Sequence, residues 1–169
     1  MVLFSQLNKL EKDLWLPKLF DLLYSNMASF MGDYATEKKL WLSNVSPALD
    51  KDPRQIILCL AGIEPVGFLQ YYTRDTLLMV EEVQIKEEYQ NTFLFYRLCR
   101  HLMHSLPEGI TTIEAFAEVR NLKSQKLMGK LGMDIIDANP ESPFVHLRGS
   151  AATVKKHFLR PHGGDRYDA

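Results

Sequence analysis

The stretch Glu81-Glu82-Val83-Gln84-Ile85-Lys86-Glu87-Glu88-Tyr89-Gln90-Asn91-Thr92 is where an apolar strand runs out and a helix begins. Leu77 to Ile85 is an apolar, partly β-branched run interrupted by two carboxylates, long enough for one strand. From Phe93 the spacing changes: Leu94, Leu98, Leu102 and Leu106 recur every four residues with Phe95 and Cys99 beside them, which is one face of a helix. Asn91 and Thr92 stand where an N-cap belongs, because a short polar side chain there satisfies an amide that the first turn leaves unpaired. A strand feeding directly into a helix aims backbone N–H groups and the positive end of the helix dipole at one point. Such a point attracts a phosphate or another anion.

Working outward, Gln55–Ala61 and Val66–Tyr72 read as strands joined by the turn Gly62-Ile63-Glu64-Pro65, and Arg74-Asp75-Thr76 turns into the strand at Leu77. Three antiparallel strands in a row are expected. Ahead of them, Val2-Leu3-Phe4 reads as a first strand, and the apolar positions from Asn8 to Phe30 as a helix that Pro17 starts afresh or kinks. A second short helix opens at Thr36 to Leu42 and is expected to close at Ser46-Pro47. Behind the central helix, Thr112–Ala117 reads as a strand and Asn121–Leu131 as a helix ended by Gly132. Strand, helix, strand implies a parallel pair with a right-handed crossover. Met133–Asp137 and Phe144–Leu147 then form a hairpin.

A chain of 169 residues, 46% hydrophobic and 24% charged, is the size of one globular domain. Residues 1–148 are read as that domain, and 149–169 as a loosely held C-terminal tail with at most a short docked helix. The formal net charge of -1 supplies no basic field, so no nucleic-acid partner is expected. Cys59 and Cys99 read as buried small hydrophobes of a reducing compartment. No leader-like segment and no apolar run of membrane-spanning length is visible, so no membrane partner is expected and the cytoplasm is the expected location. His101 and His104 lie three apart on a helix, but no third ligand accompanies them and no metal site is expected.

Three local patterns, in order and over roughly residues 1 to 148, resemble the GCN5-related N-acetyltransferase (GNAT) superfamily, whose members move an acetyl group from acetyl-CoA to an amine. Gly62-Ile63-Glu64-Pro65-Val66-Gly67-Phe68 is similar to the family's turn between its second and third strands. Val83-x-Ile85-x-x-x-Tyr89-Gln90 looks like its fourth strand entering the pyrophosphate loop. Asn121-Leu122-Lys123-Ser124-Gln125-Lys126-Leu127-Met128-Gly129-Lys130-Leu131-Gly132-Met133 matches the family's N-x-x-S-x-x-L-Y-x-K-L-G-F. The resemblance implies a mixed α/β (α+β) acyl-CoA N-acyltransferase fold, a central mixed sheet with helices on both faces. It implies acetyl-CoA as co-substrate, held by the main chain of Val83 and Ile85 and by the loop Gln90, Asn91, Thr92, Phe93, Phe95 and Tyr96, with Asn121 and Ser124 on the far wall.

Two features depart from the family. Its pyrophosphate loop, Q/R-x-x-G-x-G/A, here reads Gln90-Asn91-Thr92-Phe93-Leu94-Phe95, so benzyl groups stand where glycine lets the backbone approach a phosphate. Met128 stands where many members carry a tyrosine that protonates the departing thiolate, and a thioether donates no proton. Two readings therefore stay open: an N-acetyltransferase, or an inactive binding module whose Phe93 and Phe95 close the cleft. A dimer built through the C-terminal hairpin and tail is a third.

Attack on a thioester needs an uncharged amine and a polarised carbonyl. Glu81 and Glu82 are the candidate bases; adjacent strand residues point to opposite faces, so only one is expected to face a given site. The pair is similar to the paired-acid strand of diamine acetyltransferases, which favours a cationic amine, whether a small molecule or a peptide amine, as partner. The plainer reading leaves one acid solvated and pairs the other with an arginine such as Arg74, Arg97 or Arg120. The acetyl oxygen is expected at strand amides near Val83, and His146 is a further candidate base.

Overall fold

The computed structural model describes residues 1–51, 53–90 and 92–159. Seven strands, β1 (Val2–Gln6), β2 (Gln55–Ala61), β3 (Glu64–Arg74), β4 (Leu77–Ile85), β5 (Thr112–Glu118), β6 (Asp134–Asp137) and β7 (Phe144–Ser150), form one sheet in the order β1-β2-β3-β4-β5-β7-β6. Every neighbouring pair is antiparallel except β4–β5. This is the expected run of hairpins followed by one parallel crossover. β2 and β4 coincide with the apolar runs, whereas β3 extends beyond Val66–Tyr72 at both ends. Its extension follows from two tight turns: Ala61 pairs with Glu64 and Arg74 with Leu77. Gly62 at φ 65° and Asp75 at φ 52° supply the left-handed backbone that such two-residue turns require.

The helices are α1 (Lys12–Met27), α2 (Tyr34–Lys51), α3 (Glu87–Gln90), α4 (Leu94–Ser105), α5 (Leu122–Lys130) and α6 (Ala151–Leu159). Pro17 sits within α1, and α2 runs through Pro47 instead of closing there. Tertiary packing overrides the proline. Val45 and Leu49 are buried on either side of it, Asp33 caps the start by accepting from the amides of Ala35 and Thr36, and Lys12 ties α1 to the Ser46 carbonyl and the Asp50 carboxylate.

Helices cover both sheet faces. On one, Leu16, Leu19, Phe20 and Leu49 pack on Ile56, Leu58 and Phe68. On the other, Leu98 and Leu102 of α4 and Phe158 of α6 pack on Ile57, Leu69, Leu78 and Leu147. Full burial of each such side chain contributes about 2 kcal/mol. Cys59 and Cys99 are free thiols in this second core, where burial pushes Cys59 up to about 12 and Cys99 further. Residues 149–159, read from sequence as the start of a tail, complete β7 and form α6, with Ala151, Val154 and Phe158 buried. Residues 160–169 of the expected tail lie outside the described residues. Among the described residues no helix is long and apolar enough to cross a membrane.

Candidate active site

β4 and β5 pair only from Leu77↔Thr112 to Val80↔Ala115. Beyond that point β4 stays with β3 as far as Ile85, and β5 stays with β7 as far as Glu118. The two central strands therefore part, and a cleft of about 620 Å³ opens between them. The parting coincides with a β-bulge: Gln70 pairs with Glu82 and Tyr71 with Val80, so Glu81 is the extra residue. A bulge bends its strand and increases local twist, which turns β4 away from its parallel neighbour.

The bulge corrects the expectation that the two acids point to opposite faces. Leu78, Val80, Val83 and Ile85 all pack into the core beneath α4 and α6. The step of three from Val80 to Val83 leaves both intervening residues, Glu81 and Glu82, on the face towards α1. Strict alternation fails because a bulge inserts one residue without a cross-strand partner.

The two carboxylates nevertheless differ. Glu81 is gripped by Arg54, whose Nη2 donates to Oε1 at 2.6 Å and whose Nε donates to Oε2; Gln70 Nε2 adds a bond at 2.9 Å. Arg54 is not one of the expected arginines. Arg74 lies over the Tyr72 ring, Arg97 over Phe4, and Arg120 pairs with Glu118 at 2.6 Å. Glu82 accepts from Gln84 Nε2 at 2.7 Å and, among the described residues, has no ion pair. Burial pushes its carboxyl up to about 7; the Gln84 amide and the Val83 N–H pull the other way, and Glu81 beside it pushes up again.

From Glu82 a chain of polar side chains crosses the cleft. Gln84 Oε1 accepts from Asn26 Nδ2 at 2.7 Å, and Asn26 also donates to the Ile85 carbonyl at 2.9 Å. Gln90 Nε2 donates to the same carbonyl at 3.1 Å, and Lys123 Nζ donates to Gln90 Oε1 at 3.3 Å. Asn26, Gln84 and Lys123 were not singled out from sequence. Asn26 and Lys123 stand 58 and 33 residues from the partners they meet here, a proximity no local pattern encodes.

The loop opens as expected in part. The N-cap of α4 falls on Phe93, one residue later than expected and without a side-chain cap; Thr92 stands just ahead of it, its hydroxyl accepting from the Leu94 amide at 3.2 Å and donating to the Tyr89 carbonyl at 2.6 Å. Asn91 lies outside the described residues. Phe93 is 64% exposed and stands outside the cleft walls. Phe95 lines the cleft but is partly buried, edge-on to Phe158. Tyr96 packs on Phe158 and donates to the His157 carbonyl at 2.6 Å. The two benzyl groups thus leave the gap between β4 and β5 open.

Of the expected cofactor residues, Val83, Ile85, Gln90, Phe95, Asn121 and Ser124 line the cleft with Glu81 and Glu82, whereas Thr92, Phe93 and Tyr96 do not. Asn121 caps α5 by accepting from the Ser124 amide at 3.1 Å, and Met128 faces the cleft from the same helix. His101 stacks on Phe4, and His146 lies between Glu114 and the Phe116 ring. Among the described residues no group of three or more His, Cys, Asp or Glu is placed to hold a metal.

No protein-family model matches the sequence, and no curated protein matches it. Solved structures do. A PaiA N-acetyltransferase from Thermoplasma acidophilum in complex with coenzyme A aligns over 89% of this chain and 99% of its own at 12% identity, TM-score 0.67. An acetyltransferase from Thermus thermophilus aligns over 89% and 97% at 18% identity, TM-score 0.69. The ribosomal-protein-S18-alanine N-acetyltransferase from Escherichia coli aligns over 89% and 94% at 14% identity, TM-score 0.65. With its mixed seven-stranded sheet and helices on both faces, the chain has the fold of the GCN5-related N-acetyltransferase superfamily.

Proposed function

We propose that the protein transfers an acetyl group from acetyl-CoA to a primary amine by direct attack, with Glu82 as general base. The observation that carries this reading is the parting of β4 from β5 at Val80, with a carboxyl whose pKa is pushed up to about 7 on the edge of the gap. That value suits a base at neutral pH, because a group half ionised there both accepts a proton and releases it to water. The similar fold of a coenzyme A complex, and of an enzyme acetylating a protein's alanine, supports the choice of co-substrate and acceptor.

The cleft fits that co-substrate. Past Val80 the β4 backbone has, among the described residues, no partner strand on its β5 side, which leaves a row of main-chain groups for a pantetheine arm. Ile85 is the exception, since Asn26 and Gln90 already occupy its carbonyl. Lys123, on the facing helix and in contact with Gln90 at the loop, supplies a cation for the diphosphate where the family's glycines are missing. Bound acetyl-CoA supplies the electrophilic thioester carbonyl. Glu81, neutralised by Arg54, is a positioning residue that keeps the bulge in place and raises the proton affinity of Glu82. Glu82 takes the amine proton as the new N–C bond forms and the thioester C–S bond breaks, and CoA leaves as a thiolate that water protonates, since Met128 donates no proton. The strand amides near Val83 face the site where the acetyl oxygen gains charge.

A thermal-shift titration with CoA and acetyl-CoA tests this. A ligand at one hundred times its Kd adds about 2.7 kcal/mol of stability. An unmoved Tm at millimolar cofactor would reject the proposal.

A further inference from the structure

The acceptor end of the cleft has a chemistry of its own. Ile113, Ala115 and Ala117 of β5 face the α4–α6 core. By alternation Phe116 and Glu118 leave the opposite face, the one on which Glu82 stands. Phe144 pairs across from Glu118 and shares that face. Phe116 is 52% exposed and Phe144 is 50% exposed, and both line the same cleft as Glu82. Phe116 is also held flat, its ring stacked on His146 at 4.4 Å. Two large rings, one of them fixed, border a site that opens on an acid.

The charges around that site are mostly taken. Among the described residues three acids line the cleft, Glu81, Glu82 and Glu118. Arg54 holds Glu81. Glu118 is held below the usual carboxylate range: burial opposes this, and the Arg120 guanidinium and amide outweigh it. Just behind Phe116, Glu114 is bonded to Arg148 and His146. Among the described lining acids, Glu82 is the one held by neutral groups, the Gln84 amide and the Val83 N–H, and not by an arginine. A chain bearing several ammonium groups would find one carboxylate and meet Arg120 and Lys123 besides. One further atom calls for a donor: Gln70 Oε1 is buried without a hydrogen-bond partner among the described residues, on the residue paired with Glu82.

Resting on the acetyltransferase reading, we propose that the acceptor is an arylalkyl monoamine, with its single amine at Glu82 and its ring against Phe116 and Phe144. A flat apolar ring gains from desolvation against the two phenylalanines and from ring–ring contact. A polyamine gains neither, so this inference parts from the diamine analogy that the acid pair suggests in the sequence.

The test compares phenethylamine, butylamine and spermidine as acceptors for the full chain with acetyl-CoA, following thiol release. Phenethylamine is expected to exceed butylamine in kcat/KM by about tenfold or more, through KM, and spermidine not to exceed butylamine. In Phe116→Ala the phenethylamine-to-butylamine ratio should drop about tenfold, and Phe116→Leu should restore part of it. Preference for spermidine, or equal use of phenethylamine and butylamine, overturns the inference and leaves acetyl transfer standing. If CoA does not bind and no amine reacts, the acetyltransferase reading fails instead. Direct titration of phenethylamine, read by NMR, then decides the aromatic site: saturation weakened by Phe116→Ala sustains it, and no saturation overturns it.

Discussion

Replacing Glu82 by glutamine should make the protein more stable and less active at the same time. A free glutamate titrates at 4.5, whereas burial raises Glu82 to about 7. Below 4.5 the carboxyl is protonated in both the folded and unfolded chain and contributes nothing to the pH dependence. Between 4.5 and about 7 the folded state holds the proton and the unfolded state does not, so stability falls as pH rises, and above 7 the loss is complete. A tenfold change in proton affinity is worth about 1.36 kcal/mol, which puts the total near 3 kcal/mol; partial exposure to the cleft reduces the measurable share to about 2 kcal/mol.

Glu82→Gln removes the ionisable group but keeps an oxygen for Gln84 Nε2. Urea titrations of both proteins at about pH 5 and about pH 8 should therefore show the wild type losing about 2 kcal/mol relative to the variant as pH rises. In a chain of this size that is about 4–8 °C in Tm. Acetylation should drop about 10²-fold or more in the variant, and the wild-type kcat/KM should rise with pH through about 7. Parallel stability profiles for the two proteins, or an unchanged rate in the variant, would refute both the burial argument and the base assignment.

Arg54→Ala leaves Glu81 without its guanidinium, and denaturant titration should show a loss of about 2 kcal/mol, partly recovered in Arg54→Ala/Glu81→Gln. Phe93→Ala should change stability by less than about 0.5 kcal/mol, because the ring is largely exposed, whereas Phe95→Ala should cost about 2–3 kcal/mol through its lost packing on Phe158. Equal effects in the two variants would contradict the placement of the rings. Lys123→Ala should weaken CoA about tenfold in calorimetry while leaving pantetheine, which lacks the diphosphate, little changed.

The sequence by itself determined the architecture, because strands and helices follow from periodicities that a chain carries locally. The apolar runs at Gln55–Ala61 and Leu77–Ile85 are β2 and β4, and the four-residue spacing from Leu94 is α4. Asn121 ahead of Ser124 is the cap of α5, and Gly132 at φ 83° follows the end of that helix. The cleft, too, was foreshadowed by the junction of β4 with a helix. Where local signals conflicted, tertiary structure decided: Pro47 lies inside α2 because packing on both sides outweighs one lost hydrogen bond.

The division of labour between the two acids lay beyond local reading. Glu81 and Glu82 are neighbours of the same chemical type, and only the bulge against β3 sends both to one face. Arg54, 27 residues away, pairs with the first, and the packing around the second, with Glu81 beside it, raises its proton affinity. Charge pairing and desolvation depend on distances in space, which a linear pattern does not contain. A helix or strand, by contrast, is specified by neighbours a few residues apart. That difference in range is why the fold could be read along the chain and the chemistry of its centre had to wait for the folded sheet.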